Sequence, residues 1–226
     1  MPDGRLFIGT RRYSSWSLRG WLAVRLAGLD VEEVVIPLAG GATAAVKAVS
    51  PGGTVPYLEH LGAAIWDSLA ICEYCAEILP VLWPSERVAR AHARTIAGEM
   101  HSGFRGLRTE MPMSLFRPRG GGASAGAPSG APLGAMADVA RIDAIWAETR
   151  GRFGEGGPYL FGAQFTAADA MFAPVVARML TYRPGLSAVA EAYCTAVRAQ
   201  PLVAAWYAAA AAEPRDWWLD QYERPV

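Results

Sequence analysis

The chain has 226 residues, 52% of them hydrophobic, with 21 Lys plus Arg balanced by 21 Asp plus Glu. Zero net charge leaves no global field for nucleic acid or an anionic membrane, and this length buries one large core or two small ones. Every cation except Lys47 is an arginine, and the arginines are scattered rather than gathered into a nucleic-acid-binding face. Three cysteines make no disulfide framework, and Met1-Pro2-Asp3-Gly4-Arg5 leads straight into an apolar run with no leader pattern. The longest apolar run, residues 202–212, is too short to span a bilayer. These features predict a soluble protein of the reducing cytoplasm.

The first third alternates. Leu6-Phe7-Ile8-Gly9 reads as a buried strand, and residues 20–27 as an amphipathic helix ended by Gly28. Val31-Glu32-Glu33-Val34-Val35-Ile36 is strand-like, and a helical patch at residues 44–48 is broken by Ser50-Pro51-Gly52-Gly53. Val55-Pro56-Tyr57-Leu58-Glu59 and Ala63-Ala64-Ile65-Trp66 form a hairpin, and Asp67-Ser68 opens a helix to about Leu79. The order βαβ, helix, ββ, α predicts parallel pairing followed by antiparallel strands.

Beyond Pro80 nothing reads as a strand. Helical patterns cover residues 86–109, 138–153, 166–182, 186–199 and 202–212. An α/β third followed by helices predicts two packed domains. Residues 120–135 are almost only Gly, Ala, Ser and Pro, too poor in side chains to offset their ordering entropy, and predict a mobile loop. Thr166-Ala167-Ala168-Asp169 is a capping-box variant assigned to stability. Cys72 and Cys75, three apart on an apolar helix, read as core residues. Trp217-Trp218 either packs over the domain junction or covers the pocket, with burial as a structural latch the preferred reading.

Three stretches carry chemistry. In Tyr13-Ser14-Ser15-Trp16-Ser17-Leu18-Arg19, short hydroxyls at a strand-to-helix turn are N-cap candidates. They equally form an anion site at the positive end of a helix, and the motif alone leaves both readings open. Asp67-Ser68 is either a plain N-cap or a seat for an amino-acid head group, with free amides and the Ser68 hydroxyl for a carboxylate and Asp67 for an ammonium. Pro56 in a strand-like run is either a trans edge-strand proline or a cis one, which leaves the Val55 backbone to pair with a peptide-like ligand.

Taken in this order, the stretches resemble the cytosolic glutathione S-transferase family over almost the whole chain. Ser14 to Arg19 is similar to the Ser-Ser-Cys-Ser-x-Arg turn of its zeta class, in a bacterial-type member. Val55-Pro56-Tyr57-Leu58 resembles its cis-proline strand, and Asp67-Ser68-Leu69-Ala70-Ile71 its γ-glutamyl-gripping helix start. The resemblance implies a thioredoxin-like α/β domain over residues 1–80, a linker at 81–85 and an all-helical domain over 86–226 with a flexible loop at 114–136. It implies glutathione as co-substrate and no metal. Ser14 would activate the thiol, while Ser15, Trp16, Val55, Pro56, Asp67 and Ser68 bind the tripeptide. Tyr13, His101, Arg108 and Met111 would line a pocket for a hydrophobic electrophile, with His101 either a polar contact or a structural histidine.

Tyr13 is the alternative thiol donor; the five-residue step from Ser14 to Arg19 favours the serine. Lowering a thiol pKa by two units takes roughly 2.7 kcal/mol. One hydroxyl hydrogen bond to a charge supplies about 1.5–3 kcal/mol, and a helix N-terminus about 0.3–2 kcal/mol. Trp16 departs from the zeta pattern, which has cysteine there. Lys47 and Arg12 are the candidates for the glycyl carboxylate. The implied activity is a glutathione transferase acting as a homodimer. The alternatives are a glutathione-dependent isomerase resembling maleylacetoacetate isomerase, and a non-catalytic glutathione- or ligand-binding protein of the same fold.

Overall fold

A computed structural model describes residues 1–38, 43–118 and 133–225. Strands β1 (Gly4–Gly9), β2 (Val31–Ile36), β3 (Tyr57–His60) and β4 (Ala63–Ile65) form one sheet in the order β2-β1-β3-β4. β1 runs parallel to β2 and antiparallel to β3, and β4 closes the hairpin on β3. Alternation along β1 decides its faces. Leu6 and Ile8 enter the main core with Leu58, whereas Phe7 points the other way and packs with Ile36, Val46 and Tyr57 beneath α2 (Ala44–Val49).

Helices α1 (Ser15–Leu26) and α3 (Ser68–Ile78) cover the main-core face. α1 is buried on nearly every side because it also meets α7 (Ala167–Tyr182), the central helix of the second domain. α4 (Arg87–Ser102) and α8 (Ala188–Ala199) pack on α7, α6 (Leu133–Phe153) packs on α5 (Arg105–Glu110) and α8, and α9 (Pro201–Ala211) packs on α8 and α1. The α/β-then-helical architecture is the thioredoxin-like plus all-α fold expected. Cys72 and Cys75 are fully buried, as a core role requires. Burial pushes the Cys75 thiol up to about 12 and that of Cys72 higher still.

Two boundaries differ from the periodicity. The helix expected over residues 86–109 breaks at Gly103, and Phe104 adopts a left-handed conformation before α5 begins. Gly103 N–H closes the last turn on Glu99 O, and a Cβ at Gly103 would lie 2.8 Å from that carbonyl. Arg108 then folds back onto the carbonyls of Gly103, Met100 and His101, capping the end of α4 with a cation. The helix expected from residue 138 starts at Leu133, inside the expected loop. It can do so because Gly106 and Gly134 allow α5 and α6 into backbone contact, while Glu110 accepts from Ala135 N–H. At the other end of that loop Ser114 and Leu115 are buried, and Leu115 N–H donates to Arg12 O. Residues 119–132, the rest of the expected loop, lie outside the described residues.

Candidate active site

The head of α1 lies in the seam between the domains. Ser14 is its N-cap: its oxygen accepts from Ser17 N–H at 3.3 Å and lies 2.7 Å from the Ser17 hydroxyl, which accepts from Gly9 N–H at 2.9 Å. Hydroxyl protons rotate, so either serine can supply the one shared between them. Ser14 is buried and lines neither neighbouring cavity, whereas Ser15 and Trp16 do.

The first cavity, of about 220 Å³, brings together Trp16, Val55, Pro56, Asp67, Ser68 and His101. The Val55–Pro56 peptide is cis. One Asp67 oxygen caps α3 by accepting from Leu69 and Ala70 N–H, and the other is 3.1 Å from His101 Nε2. The Ser68 hydroxyl and His101 Nδ1 are buried without partners among the described residues. Orphaned buried polar atoms at a helix N-terminus beside a carboxylate fit a zwitterionic head group.

The second cavity, of about 200 Å³, shares Trp16 with the first and receives Tyr13, Ser15, Arg108, Arg178 and Tyr222. Arg108 and Arg19 both lie over the Trp16 ring, at 4.5 and 4.6 Å from its centroid. Arg19 is fully buried, and none of its guanidinium nitrogens has a partner among the described residues. Arg178 gives Nε to Met111 O and Nη1 to Pro174 O. Arg19, Arg108 and Arg178 form no ion pair with a carboxylate among the described residues. Burial and the nearby Arg108 push Arg178 down to about 9. Burial, with repulsion from Arg108 and Arg178, drives Arg19 down too. Arg108 and Arg178 line this cavity without a carboxylate in ion-pair contact among the described residues, with Arg19 buried behind Trp16, and two such cations favour an anion there.

Several expected positions land elsewhere. His101 lines the first cavity, beside Asp67, and not the second. Met111 is core, reaching the site only through the carbonyl that holds Arg178. The Tyr13 hydroxyl is occupied, donating to Glu223 at 2.6 Å and accepting from Leu219 N–H at 3.1 Å. Arg12 is buried and paired with Glu223 at 3.1 Å, and Lys47 is exposed on α2, and neither lines either of these two cavities. Arg178 and Tyr222 were missed. Arg178 had a visible signal, a lone charge in the otherwise apolar run Ala173-Pro174-Val175-Val176-Ala177-Arg178-Met179.

The family profiles of the glutathione S-transferase N-terminal and C-terminal domains match residues 13–78 and 116–209. A probable maleylacetoacetate isomerase of Caenorhabditis elegans is 28% identical over 174 residues, 76% of each chain. A bacterial maleyl pyruvate isomerase, a zeta-class glutathione S-transferase, superposes with a TM-score of 0.69 at 21% identity, covering 93% of this chain and 99% of its own. A Burkholderia glutathione transferase homologue solved with bound glutathione gives 0.69 at 19% identity, over 93% of this chain and all of its own.

Proposed function

The chain belongs to the glutathione S-transferase family, and on that premise we propose that it is a zeta-like, glutathione-dependent cis–trans isomerase of small unsaturated diacids. The carrying observation is the unpaired arginine cluster around the second cavity. Arg108 and Arg178 also bond backbone carbonyls, but their charges meet no carboxylate among the described residues, and a maleyl-type diacid supplies two carboxylates to neutralise them where a hydrophobic electrophile supplies none. Each such charge-assisted bond contributes about 1.5–3 kcal/mol. The names of the relatives agree with this reading over aryl conjugation.

The first cavity would hold glutathione, with the γ-glutamyl carboxylate at the α3 amides and Ser68 and its ammonium at Asp67. The Val55 backbone would pair with the peptide. When bound, glutathione supplies a thiolate nucleophile that adds reversibly to a conjugated double bond. Ser14, whose hydroxyl faces Ser17 and lines neither cavity, would keep the thiol deprotonated by turning its proton toward the sulfur while Ser17 supplies the proton between the two serines. Arg108 and Arg178 orient the substrate carboxylates so that the double bond meets the head of α1. They also stabilise negative charge moving onto the conjugated carbonyl.

The test is turnover of a cis-4-oxo-enedioic acid followed by ultraviolet absorbance, with and without glutathione. Glutathione-dependent isomerisation is expected, with Arg178→Leu lowering kcat/KM by about a hundredfold, an effect in the range of losing one strong charged contact. Conjugation of an aryl halide without any turnover of the diacid would instead favour the transferase.

A further inference from the structure

Four of the five segments that build the second cavity are firmly held: the α1 head, α5, α7 and the short run at Pro112 and Met113. The fifth is different in kind. Residues 215–225 form a 3-10 turn (Arg215–Trp217) and a single helical turn (Asp220–Glu223), neither of which contains a buried residue, and of them Tyr222 lines the cavity. Polar clamps hold this strap in place of a core. The Glu223 carboxylate is fastened by Arg12 Nη2 at 3.1 Å and the Tyr13 hydroxyl at 2.6 Å. Leu219 N–H donates to Tyr13, and the Arg12 guanidinium sits 3.7 Å from the Trp218 ring centroid. Arg117 Nε donates to Arg224 O. The clamp sets Tyr222 against Tyr13, ring centroids 5.5 Å apart, where it lines the cavity.

We propose that Tyr222 is the specificity-determining residue of this cavity, limiting the length of the group accepted beside the sulfur, and that Glu223 is the positioning residue that holds it there. The inference rests on the glutathione reading above. At about 200 Å³ the cavity is smaller than a usual ligand site. Removing the Tyr222 ring lengthens it toward solvent. Nothing on the strap lines the first cavity, so glutathione itself gains or loses no contact.

The experiment compares the affinities of glutathione, S-methylglutathione and S-hexylglutathione for the wild type, Tyr222→Ala, Tyr222→Phe and Glu223→Gln. The wild type is expected to prefer the S-methyl over the S-hexyl compound. Tyr222→Ala is expected to shift that ratio by about tenfold or more toward S-hexyl, within the selectivity that methylene-sized differences produce. Tyr222→Phe keeps the wild-type ratio, and Glu223→Gln shifts it partway, while glutathione binds alike throughout. A wild type indifferent to chain length, or a ratio unmoved in Tyr222→Ala, overturns the filter and leaves the glutathione reading standing. Loss of glutathione affinity in parallel with S-hexyl affinity also overturns it, showing a merely structural strap. A wild type that binds none of the three overturns the filter and the glutathione reading together.

Discussion

Ser17 is invisible to a search for catalytic residues, yet it ties the site to the sheet. Its oxygen accepts from the end of β1 at Gly9 and lies against Ser14, so it sets which proton Ser14 can offer a ligand. Replacing Ser17 by Ala leaves Gly9 N–H buried without an acceptor, which costs about 1–3 kcal/mol. It also removes the hydroxyl whose donation to Ser14 Oγ polarises the Ser14 O–H toward a bound sulfur. The expected result is a lowered urea midpoint together with a raised pKa of bound glutathione, read by thiolate absorbance. A stability loss with no change in thiol titration would remove Ser17 from the chemistry. Residues whose roles follow from local spacing, such as the caps Ser14 and Asp67, were legible in sequence. Tyr222 was not, because its role exists only where separate segments converge, and Arg178 showed only as a lone charge in an apolar run, with nothing to say which cavity it faces.

At the scale of elements, caps and alternation carried most of the information. The box at Thr166 and Asp169 forms, with Asp169 accepting from the backbone N–H groups of Leu160 and Thr166 and the hydroxyls of Thr166 and Tyr193. The break at Gly103 and the early start of α6 were hidden because both are set by α5 docking on its neighbours. Glu33 shows what ties β2 to α1. Its carboxylate accepts from Trp21 Nε1 at 2.6 Å and from Arg11 at 2.6 Å, with Arg25 in contact as well. Burial alone would raise its pKa, but the bonds from Trp21, Arg25 and Arg11 together hold it below the ordinary value. A depressed carboxylate stabilises the fold above its unfolded pKa of about 4.3 and loses that contribution as pH falls through the folded value. Denaturation midpoints measured from pH 7 down to 3 should therefore fall more steeply in the wild type than in Glu33→Gln. Parallel curves would contradict the assignment.

At the scale of the whole molecule, the two domains share one core, and the site lies along their seam. Trp206 of α9 is fully buried, with its ring centroid 5.3 Å from that of Trp21 on α1 and its indole N–H donating to Arg11 O. Trp206→Ala should cost about 3–5 kcal/mol, and it should split a single unfolding transition into two when fluorescence and circular dichroism are compared. One coincident transition at unchanged stability would show that this contact does not couple the domains. The two-domain plan could be read from where strand patterns stop, but the depth of α1 between the domains could not, since residues 20–27 read as an amphipathic helix with one free face whereas α1 is buried on nearly every side. That burial is what places the head of α1 between the two cavities. The most direct test of the account is an ultraviolet titration of glutathione bound to the wild type, Ser14→Ala and Ser15→Ala. The account predicts a thiol pKa about two units below the free value of roughly 8.5 in the wild type and in Ser15→Ala, returning to near 8.5 in Ser14→Ala. An unshifted pKa in the wild type, or a return only in Ser15→Ala, would contradict it.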